Sequence, residues 1–191
     1  SPDGSMVVSG SNDSTVKVWD IASGREIVTL KGHKNIVWSV DFSSNGKYIV
    51  SGSGDGFLML WDIVSGKRII TMGGNKGQIL TVKFHKSGQY ALSGSNAAEL
   101  KLWDLKSGRA IRIFKGHSKH IRSIDFSPDG KYIVSGGSDK SVRVWNIRSG
   151  KQVRTFFRHT NEVKFVRFIN AGKHIVSEGY DSLRIWDRST G

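Results

Sequence analysis

The sequence predicts an all-β fold in which one unit of about forty residues is repeated along the chain. Five tryptophans, Trp19, Trp61, Trp103, Trp145 and Trp186, are spaced 42, 42, 42 and 41 residues apart. Regular spacing of this kind is typical of repeat architectures. Each tryptophan ends a run in which apolar and polar residues alternate, and this period of two predicts a strand. No segment has the length and periodicity of a helix, so strands build the whole unit.

Each unit contains four short predicted strands, as the copy that begins at Gly116 shows. Residues 121–126 (IRSIDF) form the first strand, and the turn sequence SPDG follows at 127–130. KYIVSG and SVRVW form the second and third strands, which the turn GSD separates. The turn RSG then leads into the fourth strand, KQVRTFF, at 151–157. Gly, Asn, Asp and Ser at these junctions favour tight turns between antiparallel strands.

A strand-turn-strand core recurs in every unit, a terminal Trp-Asp ends four of the five, and a GH pair stands at 32–33 and 116–117; in these features the chain resembles the WD-repeat β-propellers. The resemblance covers essentially the whole chain. It implies radially arranged blades of four antiparallel strands, lettered a to d from the central channel outward. Residues 1–191 are then a single WD-repeat propeller segment of about 4.5 blades. The predicted blade units are approximately 1–32, 33–74, 75–116, 117–158 and 159–191.

The first residues of the chain repeat a phrase that occurs later within a complete unit. SPDGSMVVSGSND at 1–13 returns as SPDGKYIVSGGSD at 127–139, where a strand precedes it. We therefore expect strands b, c and d in the first unit and a, b and c in the last. Seven blades are usual in the family and need about 294 residues, so we expect the segment to belong to a larger, about seven-bladed propeller. A short chain that completes its ring by association is the other interpretation. Uncovered blade faces predict self-association of the isolated chain.

A serine, a histidine and an aspartate accompany the tryptophan in three units. Such a set raises the question of a hydrolase, but this one recurs from unit to unit and no GxSxG nucleophile turn is present. In the resembling family the four groups form a buried hydrogen-bond chain from indole to hydroxyl to imidazole to carboxylate. We therefore expect a protein that is not an enzyme. The predicted structural tetrads are His33, Ser51, Asp55 and Trp61; His117, Ser135, Asp139 and Trp145; and His159, Ser177, Asp181 and Trp186.

The third unit departs from this pattern. Asn75 replaces the histidine and Ala97 replaces the aspartate, whereas Ser93 and Trp103 remain. The sequence leaves three interpretations: water completes the set, Asn75 completes it, or the blade is looser than its neighbours. We expect Asp139→Ala to destabilise the fold clearly more than Glu99→Ala.

Candidate binding residues lie where the family gathers its loops at one end of the channel, the top face. By position they are the residues at the mouth of each inner strand and one b-to-c turn residue. Trp38 is the most informative of them because it is the one tryptophan outside the repeat register. It can anchor a peptide or pack within the channel, and both interpretations stay open. The candidate residues are Ile36, Trp38, Gln78, Leu80, His120, Arg122, Glu162, Lys164 and Tyr180.

The charge of the chain is +13 and is concentrated in its second half. Residues 1–95 carry 10 basic and 7 acidic residues (+3), and residues 96–191 carry 19 and 9 (+10). This excess suits acidic or phosphorylated partners, or it solvates the outer edges of the sheets. Predicted outer strands and bottom turns hold much of it, at Arg109, Arg112, Lys115, Arg148, Lys151, Arg154 and Arg158.

The remaining composition limits the function classes. There is no cysteine, no metal-ligand spacing outside the tetrads, no nucleotide-binding Gly-rich run, and no apolar stretch of membrane-spanning length. We therefore expect no cofactor, no metal, no membrane association and a cytoplasmic location, with the nucleus as the alternative. The predicted function is a non-catalytic protein-protein interaction scaffold that presents top-face loops to peptide or protein partners within a larger chain or complex. The alternative is association with nucleic acid or ribonucleoprotein through the basic C-terminal half.

Overall fold

A computed structural model describes residues 1–191. The chain forms antiparallel strands and one short 3-10 turn, η1, at Asn170–Gly172. The eighteen strands are β1 (Met6–Gly10), β2 (Thr15–Asp20), β3 (Glu26–Lys31), β4 (Val37–Phe42), β5 (Tyr48–Ser53), β6 (Leu58–Asp62), β7 (Arg68–Met72), β8 (Ile79–Phe84), β9 (Tyr90–Ser95), β10 (Leu100–Asp104), β11 (Arg109–Phe114), β12 (Ile121–Phe126), β13 (Tyr132–Gly137), β14 (Val142–Asn146), β15 (Gln152–Phe156), β16 (Val163–Ile169), β17 (His174–Gly179) and β18 (Leu183–Asp187). The predicted all-β class is confirmed.

The strands form five antiparallel sheets in which neighbours along the chain are neighbours in the sheet. Sheets 2, 3 and 4 have four strands each, β4–β7, β8–β11 and β12–β15. Sheet 1 has three strands, β1–β3, and sheet 5 has three, β16–β18. The first strand of each of sheets 2 to 4 lies beside the first strand of the next sheet, so β4, β8, β12 and β16 line one side of the molecule together. These are the inner strands, and β3, β7, β11 and β15 are the outer strands.

Apolar side chains fill the space between consecutive sheets. Leu58 of sheet 2 packs with Val82 and Trp103 of sheet 3 in one buried cluster, and similar clusters join the other pairs of sheets. Burying one such side chain contributes about 1.5–3 kcal/mol. The second strand of each complete sheet carries a glycine at the point of closest approach. A Cβ atom at Gly52 would lie 2.5 Å from Ile79 Cγ2, so only glycine lets the next sheet pack this closely.

Side chains of one inner strand accept hydrogen bonds from the backbone of the next. Ser39 Oγ accepts from Val82 N at 3.0 Å, and Asp41 Oδ2 accepts from Phe84 N at 2.8 Å. These bonds fasten sheet 2 to sheet 3 along the inner edge, and they engage backbone groups that have no partner within their own sheet.

The same two bonds recur between sheets 4 and 5. Ser123 Oγ accepts from Val166 N at 3.1 Å, and Asp125 Oδ2 accepts from Phe168 N at 2.9 Å. Burial raises the pKa of Asp125, although the hydrogen bond from Phe168 opposes the change.

The junction between sheets 3 and 4 is fastened differently. Lys83 stands at the position of Asp41, one sheet later, and its ammonium group offers no acceptor; it pairs instead with Asp41 Oδ1 at 3.1 Å. Below it, His85 Nε2 and Lys86 Nζ donate to backbone carbonyls of the turn at 127–130, at 3.3 and 2.6 Å. Contacts from the bottom loop therefore replace the carboxylate at this junction.

Sheet 5 presents an uncovered face. Leu183 and Ile185 on β18 are 65% and 63% exposed, whereas the residues at the same positions of sheet 4, Val142 and Val144, are fully buried against sheet 5. In addition, no helix of the chain is long and apolar enough to cross a membrane.

Candidate functional site

Three sheets contain a continuous buried chain of four hydrogen-bonded side chains. In sheet 2, Trp61 Nε1 donates to Ser51 Oγ at 2.8 Å, His33 Nε2 lies 2.7 Å from the same oxygen, and His33 Nδ1 lies 2.9 Å from Asp55 Oδ2. Ser51 and Trp61 lie on adjacent strands and His33 lies on the preceding loop, so the chain ties strand to strand and strand to loop.

Sheets 4 and 5 repeat this geometry within 0.1 Å. The structure brings together His117, Ser135, Asp139 and Trp145, and separately His159, Ser177, Asp181 and Trp186. The one-residue shortening before Trp186 is absorbed in the turn between β17 and β18, and Asp181 still reaches His159 Nδ1 at 2.8 Å. In sheet 1 only the bond from Trp19 Nε1 to Ser9 Oγ is formed, at 3.0 Å.

The aspartate of each tetrad is held as a carboxylate. Burial alone raises the pKa of Asp139, but hydrogen bonds from His117, Ser141 and Ser118 outweigh it and hold that pKa well below its usual range. The hydrogen bond from His159 holds the pKa of Asp181 well below its usual range in the same way.

The serine of a tetrad is poorly placed for nucleophilic chemistry. The Ser51 side chain is fully buried, and its hydroxyl already bonds both the indole of Trp61 and the imidazole of His33. Ser135 and Ser177 are buried to the same extent. A nucleophile must reach a substrate carbonyl, and these hydroxyls face the interior of the fold.

In sheet 3 an ion pair replaces the missing histidine and aspartate. Lys101 is 4% exposed, and its Nζ lies 2.9 Å from Glu99 Oε2 and donates to the carbonyl of Gly74 at 2.5 Å. Glu99 also accepts a hydrogen bond from Lys76 N at 2.8 Å. In the other sheets the tetrad aspartate accepts from the corresponding loop N–H, as Asp55 does from Lys34.

This arrangement contradicts one of the three interpretations of the third unit, the one in which Asn75 completes the set. Asn75 does not complete the set, because its Oδ1 is buried without a hydrogen-bond partner and its Nδ2 donates to Gly56 O at 3.4 Å. In this blade Glu99, two residues after Ala97, supplies the carboxylate that the tetrad aspartate supplies in the other blades. One signal was available in the sequence: position 99, four residues before the repeat tryptophan, holds a glutamate where sheet 2 has Phe57 and sheet 4 has Ser141.

At one end of the molecule the loop before each inner strand meets the turn after the second strand. Gly54 N donates to Ile36 O at 2.8 Å, and Ser138 N donates to His120 O at 2.8 Å. Gln78 O accepts from Asn96 N in the same way, at 3.0 Å. The backbones of Ile36, Gln78 and His120 therefore join the two sets of loops. We call this end the top face.

Four of the eight candidate residues at the mouth of the inner strands are bulge residues, one in each of sheets 2 to 5. In sheet 2, Val37 pairs with Ser53 and Ser39 pairs with Gly52, so Trp38 is the extra residue on β4. A bulge of this kind redirects a side chain away from the regular alternation of the strand. The corresponding extra residues in sheets 3, 4 and 5 are Leu80, Arg122 and Lys164. The sequence identified these positions, but only the cross-strand register shows why their side chains leave the sheet.

Trp38 is an exposed aromatic side chain at the top face. It is 49% exposed and its indole donates no hydrogen bond within the chain. A Cβ atom at Gly54 would lie 3.3 Å from Trp38 Nε1, so the indole lies against a position that has no side chain. Tyr180 is 64% exposed, and Lys164 Nζ lies 3.3 Å from the centre of its ring.

Two of the basic candidates are engaged within the chain. Arg122 Nη2 lies 3.3 Å from Glu162 Oε2, and Ser138 Oγ donates to the same oxygen at 2.7 Å. The hydrogen bond from Ser138, followed by the charge of Arg122, lowers the pKa of Glu162. Lys164 lies over Tyr180, as described above, and this is a favourable cation-π geometry.

A family model described as WD domain, G-beta repeat, matches five segments of the chain, residues 1–20, 24–62, 66–104, 108–146 and 150–187. The chain belongs to the WD-repeat family. The five sheets are therefore called blades 1 to 5, and the hydrogen-bonded quartets are the tetrads of blades 2, 4 and 5. Proteins of this family are generally non-catalytic scaffolds, and the geometry of these tetrads is in keeping with that.

Similar proteins match the chain over one repeat at a time. Dynein assembly factor with WD repeat domains 1 from Mus musculus is 54% identical over 41 residues, which are 22% of this chain and 10% of that protein. Its Homo sapiens counterpart is 49% identical over 41 residues, with the same shares. Peroxisomal targeting signal 2 receptor from Mus musculus is 47% identical over 38 residues, 20% of this chain and 12% of that protein. The chain thus matches about a tenth of the length of these curated relatives.

Proposed function

We propose that residues 1–191 form one propeller segment that acts as a non-catalytic scaffold and binds peptide or protein partners across its top face. The observation that carries the proposal is Trp38, a half-exposed aromatic side chain that a bulge turns out of the sheet. Aromatic side chains of this kind are the commonest binding hot spots. Leu80, the bulge residue of the neighbouring blade, extends the apolar part of this mouth.

The charges of the top face favour an acidic or phosphorylated partner. Each carboxylate of these loops is used within the chain: the tetrad aspartates by their histidines, Asp13 by Thr15, Glu99 by Lys101 and Glu162 by Arg122. The loops also carry exposed lysines that form no ion pair, namely Lys34, Lys76, Lys119 and Lys140. A partner with carboxylate or phosphate groups would meet these free ammonium groups.

The dynein assembly factor relatives support a scaffold role in general, and the cytoplasm is the location that we propose for it. The proposal includes self-association of the isolated chain, because the face of blade 5 around Leu183 and Ile185 is apolar and uncovered. Neither the family match nor the tetrads depends on this part of the proposal.

The test is a peptide selection against the 191-residue chain, followed by affinity measurements on two variants. Peptides selected from a random library should be acidic and contain apolar residues. Trp38→Ala should weaken their binding about 30-fold or more, since truncation of a hot spot costs about 2 kcal/mol or more. Val64→Ala is the matched control because Val64 is 93% exposed on a turn at the opposite end of the sheet. Equal affinity of the parent chain and Trp38→Ala for the selected peptides would contradict the proposal.

A further inference from the structure

The outer side of blades 3 and 4 has an unusual charge distribution. Residues 105–119 and 147–158 contain nine Lys and Arg residues and no Asp or Glu. The corresponding stretches of blades 1 and 2, residues 21–35 and 63–77, contain six basic residues and one acidic residue, Glu26, which is paired with Lys17. The excess is therefore confined to two of the four outer strands.

Two of the basic residues have a structural task. Arg112 lies against the turn at Gly150 of the next blade, where a Cβ atom would be 2.5 Å from its Nη1. Arg154 donates to the carbonyls of Ser189 and Thr190 in the corresponding turn of blade 5. These two side chains connect adjacent blades, so their presence is explained by the fold.

The remaining basic residues on this side have no ion-pair partner. Arg109 begins β11 and Lys151 stands at the equivalent position directly before β15, whereas Lys115 and Arg158 follow the ends of the two strands. All four are exposed. The nearest carboxylate, Asp104, lies opposite Arg109 in the sheet but accepts hydrogen bonds from Ser107 and forms no ion pair. The basic side chains are therefore left to repel one another and to attract an external acid.

Exposed apolar side chains lie between the charged ends of the strands. Ile111, Ile113 and Val153 are 50%, 48% and 50% exposed, and Phe157 is 69% exposed with Arg143 5.8 Å from its ring centre. Ile111 and Val153 are the extra residues of bulges, because their neighbours Ala110 and Gln152 pair with the repeat tryptophans. We call Arg109, Ile111, Ile113, Lys115, Lys151, Val153, Phe157 and Arg158 the outer basic surface.

Protection of the sheet edge does not account for the outer basic surface. A bulge already interrupts each of the four outer strands, and bulges themselves discourage pairing with foreign strands. Edge protection would also be needed equally on blades 1 and 2. Threonine occupies the position of Ile113 on blades 1, 2 and 4, at Thr29, Thr71 and Thr155, so blades 3 and 4 differ from blades 1 and 2 chiefly in their larger number of unpaired charges.

We propose that the outer basic surface binds an acidic protein segment that carries aliphatic side chains. The unpaired guanidinium and ammonium groups at the two ends of each strand fit carboxylates, and the aliphatic centre fits Leu, Ile or Val between those carboxylates. Nucleic acid fits less well, since single strands are bound on rows of aromatic side chains and this surface offers one, Phe157. The surface lies on the outside of the blades, so this binding is separate from that of the top face.

The test uses two peptides, one nucleic acid and three variants of the 191-residue chain. The probes are a 12-residue peptide with alternating Glu and Leu, a matched peptide with Ser in place of Leu, and dT12. The variants are Arg109→Glu/Lys151→Glu, the matched control Lys67→Glu at the equivalent exposed position of blade 2, and Trp38→Ala. Dissociation constants are measured by fluorescence anisotropy at 50 and 200 mM salt.

The Glu-Leu peptide is expected to bind at least tenfold more tightly than the Glu-Ser peptide and dT12. Arg109→Glu/Lys151→Glu should weaken it at least tenfold, whereas Lys67→Glu and Trp38→Ala should change its affinity less than threefold. Tighter binding of dT12, or an equal loss with Lys67→Glu, would overturn the inference. Loss with Trp38→Ala alone would overturn it too, because the peptide would then occupy the top face. The proposed scaffold function would stand in each of these cases.

Discussion

Glu99→Ala tests whether the ion pair of blade 3 stabilises its blade as a tetrad stabilises the others. The substitution removes the carboxylate that pairs with the buried Lys101 ammonium and accepts from Lys76 N. Removing one partner of a buried ion pair costs about 3–5 kcal/mol. Lys101 keeps its hydrogen bond to Gly74 O, which offsets about 1 kcal/mol of this loss. The free energy of unfolding should therefore fall by about 2–4 kcal/mol.

The assay is urea denaturation followed by tryptophan fluorescence, with two further variants as controls. Lys101→Met in the Glu99→Ala background places the residue of blade 2, Met59, at this position and removes the unpaired charge. It should restore most of the lost stability. Glu178→Ala, on an exposed carboxylate without an ion pair, should change the free energy of unfolding by less than about 0.5 kcal/mol.

Two results would refute the reasoning. One is a Glu99→Ala variant that unfolds within about 0.5 kcal/mol of the parent, and the other is a double variant that regains nothing. From the sequence alone, Asp139→Ala is expected to cost clearly more than Glu99→Ala. The structure instead predicts comparable losses, because Asp139 and Glu99 each accept a loop N–H and each hold a buried cationic or imidazole partner.

Three further predictions concern acidity, hydrogen exchange and assembly. The pKa of Asp139 is lower in the folded chain than its usual value, so the stability that its carboxylate contributes is present above about pH 4 and is lost as pH falls. The difference in free energy of unfolding between the parent and Asp139→Asn, measured by urea titration, should therefore shrink below that pH. A difference that stays constant with pH would contradict this role of the carboxylate. The Phe84 and Phe168 amides donate to Asp41 and Asp125. The Phe126 amide should therefore exchange its hydrogen faster than these two amides in hydrogen-exchange NMR. Equal protection of the three amides would show that the bonds to the carboxylates add no local stability. The mass of the isolated chain, measured by light scattering at micromolar concentration, should exceed that of a monomer. Leu183→Lys/Ile185→Lys should lower this mass toward the monomer value. A monomeric parent chain would exclude the uncovered face as an association surface.

Most of the fold follows from sequence because each unit repeats the same local signals. The tryptophan spacing sets the length of the unit, and alternation with Gly and Asp turns sets its four strands. The positions of the tetrad side chains follow as well, since His33, Ser51, Asp55 and Trp61 recur at the same offsets in one other unit, and in the last unit only the tryptophan comes one residue earlier. Because the pattern is repeated, an assignment of strands and tetrad residues in one unit can be compared with the same positions in the other units.

The sequence does not predict which contacts form at positions where a unit departs from the repeated pattern. The replacement of a tetrad by Glu99 and Lys101 depends on how far two long side chains reach in three dimensions. The bulges at Trp38 and Ile111 depend on cross-strand register, because an extra residue in a strand has no mark of its own in the sequence. These features lie at the proposed binding surfaces or at a position where one contact replaces another.

The inner strands show a second pattern, superimposed on the 42-residue repeat. The residue before the final phenylalanine of each inner strand is Asp41, Lys83, Asp125 and Arg167 in turn. Alternation of sign keeps like charges from facing one another around the channel wall, and like charges across adjacent strands are destabilising.

The same alternation has a consequence for the backbone. Only a carboxylate at this position can accept the N–H of the next strand, so the bonds that Asp41 and Asp125 form occur at every second junction. The intervening junction is held by His85, whose Nδ1 accepts from Ser87 N and whose Nε2 is thereby left to donate to Gly130 O. The alternation of charge along the inner strands therefore leaves one junction without a carboxylate that accepts a backbone N–H. The contact from His85 in the bottom loop joins the two blades there instead. The side chains that join successive blades therefore differ from one junction to the next.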